Sequence, residues 1–258
     1  MDETVSVVLL PSVLYRSGQL LDMERLTRAA HEKGIFIGFD CAHSAGSVPH
    51  RLHDWDVDFA FWCSYKHLNG GPGSPAFLYL NERHFGRDPG LAGWFGYVKE
   101  KQFDMKIDFE HAQSAGGWQL GTPSVLSAAT LEAALKIQEE AGIDRIREKS
   151  LRLTDFLIEL VDGFLSDEPY EYSIGSPRDH GRRGGHLAIE HPREAWRICC
   201  ALKARGIVPD FRPPRVIRVA PVALYNTFTE VWELARALKE IIEKREFERF
   251  PKERSAVS

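Results

Sequence analysis

FIGFDCAHSAG (residues 36–46) and FAFWCSYKHLNGGPG (residues 59–73) are each an apolar run that ends in side chains able to do chemistry. Asp40 and His43 follow the first run; Tyr65 and Lys66 end the second. Upstream, Val5–Leu10 is another apolar, β-branched run suited to a buried strand. Between them, Asp22 can cap a helix carrying Met23, Leu26, Ala29 and Ala30, and Gly34 ends that helix before the strand Ile35–Phe39. Strand, helix and strand in this order require a helical crossover and a parallel pairing. With further strands at Asp56–Cys63 and Ala76–Leu80, the chain reads as α/β, a mainly parallel sheet with helices on both faces. Ligands of such sheets gather at the carboxyl ends of the strands, where Asp40 and Lys66 fall.

The pattern changes along the chain. Residues 86–121 show poor periodicity, with Trp94, Phe95, Trp118 and several glycines, as in a long functional loop covering a site. Ser124–Glu140 and Ile143–Phe164 read as long amphipathic helices. After a polar, glycine-rich stretch (175–185), strand His186–Glu190, helix Arg193–Arg205, strand Val216–Ala220 and helix Thr227–Lys244 form an α+β pattern. The predicted division is 1–135, part of a larger domain, and 136–258, a smaller α+β domain. The charged tail Arg245–Ser258 is expected to fray.

With 258 residues, 43% of them hydrophobic and 27% charged, the chain can bury one large core or two smaller ones. A net charge of -4 argues against a dominant nucleic-acid or anionic-membrane surface. No run is long enough to span a bilayer, and residues 1–20 lack the layout of a signal peptide. Cys41, Cys63, Cys199 and Cys200 show no metal-type spacing, so no metal site is expected and they read as reduced thiols of a cytoplasmic protein.

A lysine at the end of an apolar strand, followed by Gly70, Gly71 and Gly73, is badly placed as a surface charge. Burying an ammonium group lowers its pKa and makes the amine a usable nucleophile. An aspartate ending a neighbouring strand supplies an anion for the pyridinium nitrogen of pyridoxal phosphate. The bland alternatives are a snorkelling Lys66, an Asp40 that only opens a turn, and a His43 that is merely hydrogen-bonded. Tyr65 leaves from the face opposite Lys66 if the strand continues through both.

The segments LYRSGQLLDM (14–23), FIGFDCAHSAGSV (36–48), LHDWDVDFAFWCSYKHLNGGPG (52–73), GWFGY (93–97) and IRVAPVALYNTF (217–228) resemble kynureninase, a fold-type-I pyridoxal-phosphate family. The resemblance runs from about Val5 to about Ile242. It implies that Lys66 is the Schiff-base lysine, that Asp40 pairs with the ring nitrogen, and that His43 neighbours the cofactor. It implies that Tyr65 contacts the phosphate and moves a proton, and that Trp94 and Thr122 reach the phosphate across a homodimer interface. Arg218 corresponds to the arginine that holds the substrate α-carboxylate. The implied reaction is hydrolysis of the Cβ–Cγ bond of L-kynurenine, or its 3-hydroxy form, to the anthranilate and L-alanine, in tryptophan degradation and NAD biosynthesis.

Two departures accompany the resemblance. Tyr97 stands where the family motif often has histidine. The chain also begins within the family's catalytic domain, so an amino-terminal segment or a partner chain is expected to supply the rest. A sheet without that part leaves an edge and an apolar face exposed. The competing readings are a cysteine desulfurase or other class V aminotransferase-like enzyme, which typically has histidine before the lysine, and a truncated, inactive fragment that needs a partner.

Overall fold

The computed structural model describes Asp2 and residues 4–253, which divide into two compact units. Of the described residues, the first comprises those up to 12, 22–45 and 50–140; the second comprises 13–21, 46–49 and those from 141 to 253.

The first unit is built on a four-stranded sheet in the order β1 (Val7–Pro11), β2 (Phe36–Asp40), β3 (Phe59–Cys63), β4 (Ala76–Leu80). β1, β2 and β3 run parallel, whereas β4 returns antiparallel to β3. The crossover from β1 to β2 carries α1 (Met23–His31), whose first turn is capped by the Asp22 carboxylate accepting from the Arg25 amide. Gly34, at φ +69°, makes the left-handed turn into β2, a conformation costly for a residue with a Cβ. Ile37 and Phe39 are fully buried with Met23, Ala30, Ile35, Cys41, Val57 and Ala60. Each of those two large side chains contributes about 1.5–3 kcal/mol by leaving water.

β1 and β4 are the edges of this sheet, and Val7 and Leu9 on one, Phe77 and Leu78 on the other, are exposed. α2 (Val125–Ala141) departs from the amphipathic expectation. Leu131 is its one fully buried residue, while Val125, Leu126, Leu135 and Ile137 are exposed. Its apolar residues are spread around the helix rather than along one stripe, the pattern of a helix covered on several sides.

The second unit holds an antiparallel sheet in the order β5 (Ser173–Ile174), β6 (Leu187–Glu190), β8 (Val216–Val219), β7 (Asp210–Arg212). Helices α3 (Ile143–Phe164), α4 (Ala195–Ala204) and α5 (Phe228–Glu243) share one core with it, including Leu153, Leu157, Leu187, Ile198, Leu202, Ile217 and Leu238. Thr227 and Glu230 form a reciprocal capping box that starts α5. β5 and β7 span too few residues to show alternation, so they were not legible in the sequence. The tail is corrected in part. Glu246–Arg249 form a short turn, Arg205 pairs with Glu246 at 2.7 Å, and Arg197 Nε donates to the Phe250 carbonyl at 2.8 Å. Residues 254–258 of the expected fraying tail lie outside the described residues.

Candidate active site

Asp40 is the last residue of β2 and pairs in register with Phe61 of β3, so β3 continues two residues further before it ends at Cys63. Tyr65 and Lys66 therefore lie beyond the strand, on the turn that follows it, and the strand alternation expected to separate them does not apply. The Lys66 Nζ lies 5.6 Å from the centre of the Tyr65 ring. Lys66 is half-buried rather than enclosed, and Tyr65 is 53% exposed. A hydrogen bond and the charge of Cys63, slight burial, and the negative charge of Asp40 all raise the Tyr65 phenol above its usual range. The phenol therefore stays protonated at neutral pH and can act as a proton donor. Asp40, Tyr65 and Lys66 form one electrostatic neighbourhood at the carboxyl ends of adjacent strands.

The turn after Lys66 is held from two sides. The Ser64 hydroxyl lies 2.7 Å from that of Ser74 and 2.5 Å from the Pro75 carbonyl. From α2, the Thr130 hydroxyl donates to the Gly70 carbonyl at 2.7 Å and Gln138 to the His67 carbonyl at 2.7 Å. The Asp40 carboxylate accepts the Ala42 amide at 2.8 Å, so Asp40 does open a turn, and His43 sits on that turn.

The loop segments that carry Trp94 and Thr122 approach each other at Gly93 and Leu120. A Cβ on Gly93 would stand 2.3 Å from both the Cα and the carbonyl oxygen of Leu120, so only glycine lets these strands of loop touch. Gly93→Ala is expected to cost about 1–3 kcal/mol by overpacking and to alter the emission of the neighbouring Trp94, both read in a thermal melt followed by fluorescence. No hydrogen bond or ring contact joins Trp94 or Thr122 to Asp40, Tyr65 or Lys66 among the described residues. The long loop folds on itself through a bridge between Tyr97 and His111, and leaves Phe103, Met105 and Ile107 exposed. The Tyr97 hydroxyl donates to the Asp108 carbonyl at 3.3 Å.

In the second unit, Arg218 on β8 faces Asp210 across the β7–β8 pairing. Its guanidinium donates to the Asp210 carboxylate and, at 2.8 Å, to the Tyr15 carbonyl. Burial pulls its pKa below the usual arginine range while Asp210 opposes that, and the group stays charged. Asp210 escaped the sequence reading, because finding it needs the register of a hairpin through FRPPR (211–215). Ser12 was also missed; it is the polar residue closing the β1 run, at the same end of the sheet as Asp40. Among the described residues, no group of His, Cys, Asp and Glu is placed to hold a metal ion. No helix among them is long and apolar enough to cross a membrane.

The profile of the family described as Aminotransferase class-V matches residues 1–186. The chain belongs to this family. A second profile, Kynureninase C-terminal domain, matches residues 146–238 of this class-V chain. The kynureninase of Shouchella clausii (strain KSM-K16) is 57% identical over 258 residues, 100% of this chain and 60% of that protein. The kynureninase of Geobacillus thermodenitrificans (strain NG80-2) is 52% identical over the same shares. The class-V chain thus spans about 60% of the length of the curated relatives it matches. Among solved structures, a cysteine desulfurase from Thermococcus onnurineus NA1 superposes with a TM-score of 0.76 at 21% identity, over 93% of this chain and 60% of that one. A C-DES mutant with glycine covalently linked to its PLP cofactor superposes with a TM-score of 0.77 at 18% identity, over 92% of this chain and 61% of that one. At such identities the likeness carries the fold alone.

All four cysteines are free thiols. Burial pushes Cys41 and Cys199 each up to about 11, too high for a useful thiolate near neutrality. In the native chain at pH 8, Cys41 and Cys199 are expected to resist iodoacetamide and to become labelled only in denaturant, as read by peptide mass.

Proposed function

We propose that the chain is the larger part of a pyridoxal-phosphate-dependent hydrolase of the kynureninase type. It would cleave the Cβ–Cγ bond of L-kynurenine, or of its 3-hydroxy form, to release the anthranilate and L-alanine. The observation that carries this reading is identity above one half with kynureninases along the whole of the chain. The donor set fits the cofactor: a half-buried amine, a phenol and a carboxylate lie together at the carboxyl ends of β2 and β3.

When bound, pyridoxal phosphate supplies an aldehyde that condenses with amines and a ring that accepts the electrons of a carbanion. Lys66 would hold the cofactor through its aldehyde, and its amine would take the proton from the substrate Cα. Asp40, beside His43, would pair with the ring nitrogen and keep it protonated. The protonated Tyr65 phenol would hold the phosphate and would deliver a proton at the substrate's γ-carbonyl. Arg218 is assigned the substrate α-carboxylate, which suits a planar guanidinium fork. Trp94 and Thr122 are assigned the phosphate of a second copy. Residues 1–135 are read as part of the cofactor-binding domain and 136–258 as the smaller one.

The exposed apolar residues of β1, β4 and α2 support a partner surface, for a second copy or for the length by which the relatives exceed this chain. A cytoplasmic location accords with the free thiols. Anthranilate fluorescence after addition of kynurenine and pyridoxal phosphate tests the reaction, with 3-hydroxykynurenine in parallel. Release of sulfide from cysteine instead would favour a desulfurase. No turnover of either by the chain, followed by turnover once the relatives' additional segment is supplied, would assign the activity to the assembled protein.

A further inference from the structure

Beneath the turn carrying Asp40 and His43 lies a line of polar side chains to which the proposed reaction gives no role. Ser12 and Ser44 are both fully buried. Ser12 donates twice to the Asp40 carbonyl, from its amide at 2.9 Å and from its hydroxyl at 3.1 Å. Its Oγ stands 2.6 Å from Ser44 Oγ, and Ser44 Oγ donates to the Cys41 carbonyl at 3.1 Å. Behind Ser44, His50 Nε2 lies 2.7 Å from the same hydroxyl, and His50 Nδ1 is shut off from water with no partner.

Burial lowers His50 to about 4, so its ring is neutral at physiological pH and carries one N–H. Placed on Nε2, that hydrogen is donated to Ser44; placed on Nδ1, it would be an unpaired buried donor, the costlier arrangement. With the hydrogen on Nε2, His50 donates to Ser44, and the Ser44 and Ser12 hydroxyls, with one hydrogen each, serve each other and the Cys41 and Asp40 carbonyls. The Asp40 carboxylate itself accepts the Ala42 amide at 2.8 Å, so the side chain is tied to the very peptide planes this line holds.

We infer that Ser12, Ser44 and His50 are positioning residues for Asp40, a buried hydrogen-bond chain that fixes the carboxylate where it meets the cofactor's ring nitrogen. The inference rests on the proposed role of Asp40. A cofactor partner must be held within about half an ångström to pair with one ring atom, and a two-residue turn at a strand end has little stiffness of its own. The chain supplies stiffness from a different strand, β1, and from the segment after the turn.

The test uses the full chain with Ser44→Ala, His50→Leu and His50→Gln. The glutamine amide can reproduce the Nε2 donor, whereas leucine keeps volume without it. Amide hydrogen exchange at Ala42, which needs no cofactor, reports the Asp40 turn. The visible absorption band of the chain loaded with pyridoxal phosphate, and its binding affinity, report the ring nitrogen's environment. Ser44→Ala and His50→Leu are expected to speed Ala42 exchange and weaken cofactor binding by about tenfold, with a shifted band, and His50→Gln to restore most of both. Unchanged exchange and an unchanged band in the first two variants would overturn the inference. So would a His50→Gln chain that behaves like His50→Leu, since that would make His50 a packing residue. Should Ser44→Ala not fold, the leucine and glutamine pair still decides. A failure of the cofactor reading shows differently: the unmodified chain would take no label at Lys66, while the Ala42 exchange rates would still separate the variants.

Discussion

Replacing Lys66 by alanine is expected to abolish borohydride-fixed labelling of the chain by pyridoxal phosphate, from one equivalent on one peptide to none. The reason is chemical: only a primary amine at this place can bond the aldehyde and be trapped by reduction. The fold should survive, because Lys66 is half-buried and lies on a turn after β3, with Tyr65 as its nearby ring. The turn itself is anchored by Ser64, Thr130 and Gln138, none of which depends on the lysine side chain. A change in stability within about 0.5 kcal/mol is therefore expected, and the circular dichroism melt should overlay that of the parent. Peptide mass mapping after reduction decides the matter. A labelled alanine variant, or label scattered over surface lysines in the parent, would remove Lys66 from the mechanism. Lys66→Arg is the companion variant: it keeps the positive charge beside Tyr65 but does not form the reducible bond, so it separates charge from covalency.

Asp40 and Lys66 stood out in the sequence because Asp40 ends one apolar run and Lys66 closely follows another, and the parallel sheet puts such ends on one side. The crossover helix was equally legible from Asp22, the apolar spacing to Ala30, and Gly34. What escaped depends on partners distant in sequence. Asp210 becomes a neighbour of Arg218 only through the pairing of two short strands. Ser12, Ser44 and His50 meet only once β1 lies beside β2. α2 misled for another reason: spacing marks a helix, but not how much of its surface is covered, and most of its large apolar residues are exposed. The burial expected of Lys66 failed because the strand stops at Cys63, which leaves the lysine on a turn.

Asp58→Ala is expected to destabilise the first unit by about 3–5 kcal/mol, the range for removing one partner of a buried charged network. Asp58 precedes β3 at the end of the sheet away from Lys66 and is 2% exposed. Its carboxylate accepts from Arg83 at 2.6 Å and from the Ile37 amide at 2.8 Å, and lies 2.9 Å from His31 and 2.7 Å from His84. Alanine would leave the Ile37 amide, on the strand that carries Asp40, without its acceptor, and the Arg83 guanidinium with Asp56 as its remaining anionic partner. The melting temperature should fall by roughly 10 °C or more. Burial by itself would raise the Asp58 pKa, but the bonds from Arg83, His31, Ile37 and His84 outweigh it and hold the group at about 2. An unfolded aspartate titrates near about 3.9, so the folded state binds its proton less readily. The stabilisation is complete above the unfolded value and is lost as pH falls toward the folded one, amounting to about 2–3 kcal/mol. Urea denaturation of the parent between pH 6 and pH 2 should show this loss in the acid range. The same series on Asp58→Asn, which keeps shape without charge, should show a shallower acid slope. Equal slopes in the two chains would mean that other carboxylates, not Asp58, set the acid sensitivity of the sheet that presents the site.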